Sequence, residues 1–361
     1  MKIYCIKVDT MAYSPSVLKL NDIVKGKVHR MVSGCYTLSS CLLQFLGALS
    51  DTVEENGFGH WLWEERVDKN DRVVWSWSND LIFKKLQKEG YKLSLRNWSE
   101  FIRHFGYEYE PNLFSDVSSI LDVGKEKWHF PCKWGTAEAL RYTLGDLCHE
   151  AEADERSYIQ KIQQQKGNQF YFINYNHYHI ASQWGRNILE FCDKTDQAYG
   201  GVSRILSNWD FAEPDSIFWI YGDHGPWLFP TLDRFPEPVH FYTWAIIRNN
   251  TGVQLETPDV LSIQDFPSFI ESLLSETSMK ANKNRLFLTE DGRDAYSKMH
   301  MSTAIGCRIN DDKIDCTWYH KNTNEWKRSL YLFRNFDYVE YKVDVEVDTR
   351  EEIINSFGWM E

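Results

Sequence analysis

Two nearly continuous apolar, β-prone runs, Phe170 to Tyr175 and Ser216 to Tyr221, constrain the fold of this chain most. A half-exposed strand alternates apolar with polar residues; a run that does not alternate needs cover on both faces. Ile3 to Val8, Val28 to Val32, Lys92 to Leu95 and Trp244 to Arg248 supply further strand candidates. Helical segments lie among them. Thr37 to Leu49 carries Leu38, Cys41, Leu42, Phe45 and Leu49 at helical spacing, Asp80 to Glu89 is stopped by Gly90, and Trp98 to Phe105 is stopped by Gly106. Thr136 to Gln165 and Gln197 to Trp209 read as helices too, whereas Ser14-Pro15-Ser16 reads as a loop. Strands alternating with helices predict an α/β three-layer sandwich with a largely parallel central sheet. With 361 residues, 43% of them hydrophobic, the chain can bury a sizeable core.

Beyond Asn282 the texture changes. Leu286 to Leu288, Ala304 to Ile309, Lys313 to Tyr319 and Ser329 to Phe333 are short strand candidates joined by polar turns such as Asn310-Asp311-Asp312. The expected organisation is a main domain over residues 1–280 and a small antiparallel C-terminal subdomain over 281–361, packed on it. A net charge of −12 gives a phosphate backbone nothing to bind, so nucleic acid is not an expected partner. Met1 to Val8 has no basic leader, apolar core or cleavage site, and the apolar stretch Cys41 to Leu49 is far below the roughly 20 residues of a bilayer span. A cytoplasmic protein with no integral membrane segment is expected. The eight cysteines show no metal-binding spacing and read as buried thiols.

Ligands of such sheets bind beyond the carboxyl ends of strands. Three polar clusters stand there: Asp9, the segment after Tyr175 with His177 and His179, and Asp223-His224. A carboxylate next to an imidazole, between Gly222 and Gly225, suits a borderline divalent cation; the same pair also suits an ordinary Asx-type turn. Thr37, at the head of a helix, has two readings as well. It is an N-cap, or it is a nucleophile whose charge the helix N-terminus favours. Trp227, just after the turn, is the aromatic residue expected nearest a substrate.

The order of these pieces resembles the sulfatase-like branch of the alkaline-phosphatase superfamily. Members open with a strand ending in a metal-binding Asp, here Val8-Asp9-Thr10. A helix headed by the nucleophile follows, here with Thr37, Ser40 and Gly47. Next come a helix, a Gly-Tyr pair and a strand, here Leu81 to Tyr91 and onwards. The His-bearing turn is Phe172 to His179, the Asp-His-Gly strand Asp215 to Gly225, and a closing segment Thr257 to Ser268. The resemblance runs through most of the chain and implies a catalytic domain over 1–280. It implies metal ligation by Asp9, Thr37, Asp223 and His224, with Thr37 as nucleophile. His179 would meet the substrate or leaving group, and His177 would share that task or be structural. His240 has the same two readings.

The departures narrow the chemistry. Thr37 is followed by Leu38-Ser39-Ser40-Cys41, without the Pro and Arg of a formylglycine motif, which points to the threonine-nucleophile relatives. Gln197 to Ser203 lacks the Asp-x-x-x-His pair of two-metal relatives, so one divalent ion (Zn, Mn or Ca) is expected. The implied function is a hydrolase or transferase of phosphate or sulfate esters. Its substrate would be a small-molecule, glycan or lipid-headgroup ester. A formylglycine-independent sulfatase and a non-catalytic, sulfatase-shaped binding protein are the alternatives.

Overall fold

A computed structural model of the chain describes residues 1–35, 40, 44–45, 63–67, 73–77, 82–96, 114–118, 149–175, 188–226, 236–277, 279, 285–291, 303–310, 313–320, 323–334, 337–343 and 347–356. In chain order the elements are β1 (Lys2–Val8), α1 (Pro15–Val24), β2 (Lys27–Val32), β3 (Trp63–Val67), β4 (Val73–Trp77), α2 (Ile82–Lys88), β5 (Lys92–Arg96), β6 (Asp116–Ser118), α3 (His149–Gln164), β7 (Gln169–Tyr175), α4 (Ile188–Leu206), β8 (Ser216–Gly222), α5 (Pro238–Phe241), β9 (Tyr242–Asn249), β10 (Val260–Ser262), α6 (Asp265–Leu274), β11 (Phe287–Asp291), β12 (Thr303–Asn310), β13 (Lys313–His320), β14 (Glu325–Arg334), β15 (Asp337–Lys342) and α7 (Val347–Ser356). The expected helix Trp98 to Phe105 lies outside the described residues. Of Thr37 to Leu49, Ser40, Gln44 and Phe45 are described, and all three are helical.

The main sheet has eight strands in the order β10-β2-β9-β8-β1-β7-β5-β6. β9 runs antiparallel to both of its neighbours, and every other pairing is parallel. β1 sits between β7 and β8 with all seven residues buried, which is why it carries no alternation. Its side chains still divide by the two-residue period of a strand. Ile3 and Cys5 pack with Ile82, Phe83 and Leu86 of α2 and Phe266, Phe269 and Ile270 of α6. Tyr4, Ile6 and Val8 pack with α1, α3 and α4 on the other face. Helices cover both faces, so the architecture is the three-layer α/β sandwich, with a separate five-stranded antiparallel sheet β11-β12-β13-β14-β15.

Two expectations are corrected: the helix expected over Gln197 to Trp209 runs instead over Ile188–Leu206, and the proline-containing loop near the N-terminus is helical. Pro15 opens α1 and does not sit in a loop. Proline's fixed φ suits the first helical turn, where its missing N–H has no partner to lose. Val17, Leu20 and Val24 then bury one face. The helix ends at Lys25 in the left-handed conformation (φ 57°), whose N–H donates to the carbonyl of Asn21.

Candidate metal centre at the carboxyl ends of β1 and β8

Strand parity builds the site. Lys7 lies opposite Tyr221 in the parallel register of β1 and β8, and Val8 lies opposite Gly222. One residue further on are Asp9 and Asp223, on the face that Ile3, Cys5, Ile217, Trp219 and Tyr221 share. Asp9, Asp223 and His224 each present a ligand atom, all three within 4.8 Å of one another, and all three residues are buried. Among the described residues this is the one cluster of His, Cys, Asp and Glu able to hold a metal ion.

The backbone turns tightly to achieve this. A side chain at Gly222 would put its Cβ 2.1 Å from the carbonyl oxygen of Met11, and one at Gly225 would come within 1.6 Å of that of Val239. Both glycines are there for close backbone approach. The indole of Trp244 donates to the same Met11 oxygen at 3.0 Å, and the N–H of Gly225 donates to the His240 carbonyl at 2.8 Å. Asp9 is held from the other side, its N–H donating to the Tyr175 carbonyl at 3.0 Å. Thr10 takes a positive φ of 65°. In that conformation its N–H donates to Asp223 Oδ1 at 3.0 Å and its hydroxyl to Asp9 Oδ1 at 2.7 Å.

The His224 ring is oriented for ligation. Its Nδ1 lies 2.8 Å from the Gly225 carbonyl, an acceptor only, so Nδ1 carries the proton. Nε2 lies 3.7 Å from Asp9 Oδ1. A backbone carbonyl fixing the tautomer of a ligating His is a recurrent feature of metal sites. Two carboxylates and an imidazole whose ligand atoms lie within 4.8 Å of one another are a donor set that could hold a divalent cation.

The surroundings contain a residue with no counterpart among the expected site residues. Lys7 is fully buried, and its Nζ lies 2.9 Å from Asp9 Oδ2 and 2.9 Å from Asp223 Oδ2. A signal for it existed in the sequence: a lysine between Ile6 and Val8, inside an apolar strand, two residues before a carboxylate on the same face. Ser40 also enters the site, its hydroxyl donating to the Asp223 carbonyl at 2.6 Å. Four residues on in the sequence, Gln44 donates to Cys5 Sγ at 3.4 Å and accepts from the Tyr221 hydroxyl. The helical segment therefore runs with its earlier residue nearest the carboxyl end of the sheet.

On the opposite face, Tyr175 donates to Glu155 Oε1 at 3.0 Å, and Arg96 donates to Glu155 Oε2 at 2.8–3.0 Å and stacks over Tyr158. Burial, reinforced by Glu155, pushes the Tyr175 hydroxyl well above its ordinary range, so it remains a donor. This cluster anchors the end of β7, from which the His177 and His179 segment departs. Thr37, His177, His179 and Trp227 lie outside the described residues. His240 is buried in α5, where its Nδ1 accepts from the Glu237 N–H at 2.9 Å within a capping box.

No protein-family model matches the chain, and no curated protein sequence does. Solved structures do match. A protein in the alkaline phosphatase superfamily from Vibrio parahaemolyticus aligns over 99% of this chain and 85% of its own, with a TM-score of 0.57 and 11% identity. The phosphonate monoester hydrolase of Agrobacterium radiobacter aligns over 92% and 89%, with a TM-score of 0.53 and 9% identity. A phosphonate monoester hydrolase from Silicibacter pomeroyi aligns over 98% and 93%, with a TM-score of 0.50 and 11% identity. At these identities the likeness is one of fold, and the fold is that of the alkaline phosphatase superfamily.

Proposed function

We propose that this chain is a metal-dependent hydrolase or transferase of phosphate or sulfate esters, with one divalent ion held by Asp9, Asp223, His224 and Thr37. The observation that carries this reading is the convergence of two carboxylates and an oriented imidazole at the carboxyl ends of adjacent parallel strands. A divalent ion in that place supplies charge stabilisation for an attacked ester and favours ionisation of a nearby hydroxyl.

Thr37 is the proposed nucleophile. Its Oγ, having lost its proton to solvent, forms a bond to phosphorus or sulfur as the ester bond to the leaving oxygen breaks. His179 gives that oxygen its proton, with His177 at its side. Water or an acceptor alcohol then attacks the threonine ester and restores the hydroxyl. Support for Thr37 comes from Ser40, three residues later in the sequence, whose hydroxyl binds the Asp223 main chain. The substrate class is a small-molecule, glycan or lipid-headgroup ester. Because two structural neighbours are phosphonate monoester hydrolases, phosphonate monoesters join phosphate and sulfate esters among the substrates to test.

The test combines metal analysis of the purified protein with turnover of p-nitrophenyl phosphate, phosphonate and sulfate esters. Asp223→Asn is expected to lose bound metal and turnover together, and Thr37→Ala to lose turnover while keeping metal. Full turnover by Thr37→Ala with its metal intact would sink the nucleophile assignment. A non-catalytic binding protein of the same shape is the second reading, favoured by the Lys7 ammonium that already bridges both carboxylates. Absence of turnover across all three ester classes by metal-loaded protein would select it.

A further inference from the structure

Lys7 stands where the pattern of β1 calls for an apolar residue. Ile3 and Cys5 precede it on the same face, in the apolar layer under α2 and α6. A buried ammonium there is strongly disfavoured unless it is paired. It is paired twice, at 2.9 Å from Asp9 Oδ2 and 2.9 Å from Asp223 Oδ2. The other oxygen of each carboxylate is engaged differently. Asp9 Oδ1 accepts from the Thr10 hydroxyl and faces His224 Nε2, while Asp223 Oδ1 accepts from the N–H groups of Thr10 and His224.

We infer that Lys7 is a resident cation of this centre, a positioning residue that occupies the Oδ2 side of both carboxylates and restricts the centre to a single, weakly held divalent ion. The inference rests on the metal-dependent reading above and deepens it. The buried Lys7 Nζ sits between the two carboxylates, on the side where a further cation would have to approach their Oδ2 atoms. A fixed positive charge this close, in low dielectric, opposes every further cation. It also keeps the metal-free centre folded, because two buried carboxylates with no cation between them repel.

The experiment measures Zn²⁺ and Mn²⁺ binding to the full chain by titration calorimetry, and the melting temperature with metal and with chelator. Wild type, Lys7→Met, Lys7→Gln and Asp223→Asn are compared. Removing the ammonium is expected to tighten metal binding about tenfold or more. It is also expected to make the melting temperature depend on metal far more than in wild type. Equal affinity and an equal metal-linked melting shift in wild type and Lys7→Met would overturn the inference and leave the metal-dependent reading intact. Metal bound by Lys7→Met but not by wild type would support the role of Lys7 and overturn metal dependence of the native protein. Binding by neither would remove both. Lys7→Gln, which keeps a neutral hydrogen-bonding side chain, stands in should Lys7→Met not fold. If both fold only when metal is supplied, the ion replaces the ammonium as inferred; if neither folds even then, the inference fails.

Discussion

His29 shows how a single buried side chain reports on pH. It is fully buried in β2, and its Nδ1 donates to the Pro258 carbonyl at 2.7 Å. Burial lowers its pKa to about 4 from the ordinary 6.5. Above pH 6.5 the ring is neutral in both folded and unfolded chains and stability does not depend on it. Between 6.5 and 4 the unfolded chain binds the proton and the folded chain does not, so stability falls as pH falls, by about 3 kcal/mol in all. Urea midpoints measured on both sides of that window should therefore differ more for wild type than for His29→Gln. An equal pH dependence would place the effect elsewhere. The site residues differ in how legible they were. Asp9, Asp223 and His224 could be named because polar residues at strand ends break an apolar pattern. Lys7 also interrupts an apolar run, but the convergence of two carboxylates on it is visible only in the fold. Thr10 was visible as a neighbour of Asp9, but its positive φ, which aims both its donors at the carboxylates, is a property of the turn.

At the scale of elements, β1, β2, β5, β7, β8 and β9 were all readable to within about two residues, since buried strands advertise themselves by composition. The direction of β9 was not, because the same apolar run serves a parallel or an antiparallel neighbour. The hairpin of β3 and β4 went unread as well. Ser40 and Gln44, both helical, contact the site and the strands beneath it, and that role is testable. Ser40 donates to the Asp223 carbonyl, and Gln44 ties the same segment to Cys5 and Tyr221. Ser40→Ala removes one buried hydrogen bond and leaves the Asp223 carbonyl without that donor. A loss of about 1–2 kcal/mol of stability is expected. Turnover should fall with little change in metal content, since Ser40 Oγ binds main chain and none of the ligand atoms. Loss of metal in parallel with turnover would instead make Ser40 part of the ligand frame.

Among the described residues, apolar packing joins the eight-stranded and five-stranded sheets in two places: Leu286, Ala304 and Ile353 belong to the core layer under α2 and α6, and a second cluster forms a seam beside β2 and β9. Val32 and Cys35 from the end of β2, and Phe241 and Tyr242 beside β9, pack against Phe287, Ile305, Cys307, Trp318 and Tyr331 of the antiparallel sheet. The hydroxyl of Thr289 donates to the Ser33 carbonyl, and the Trp318 indole donates to that of Pro236 at 2.9 Å. Pro236 leads directly into α5, whose His240 carbonyl accepts from the Gly225 N–H in the turn that carries Asp223 and His224. The antiparallel sheet thus buttresses the candidate centre through a short chain of contacts, and its core is continuous with that of the main sheet. Such a shared core melts as one unit. Trp318→Ala removes a fully buried indole from that seam and is expected to lower the stability of the whole chain by about 3–5 kcal/mol, in a single calorimetric transition. A chain ending at residue 280 would expose Val32, Phe241 and Tyr242 and is expected to aggregate. Two resolved transitions, with the one from the main sheet unmoved by Trp318→Ala, would show that the C-terminal sheet is an independent appendage and that the turn at Gly225 stands without it.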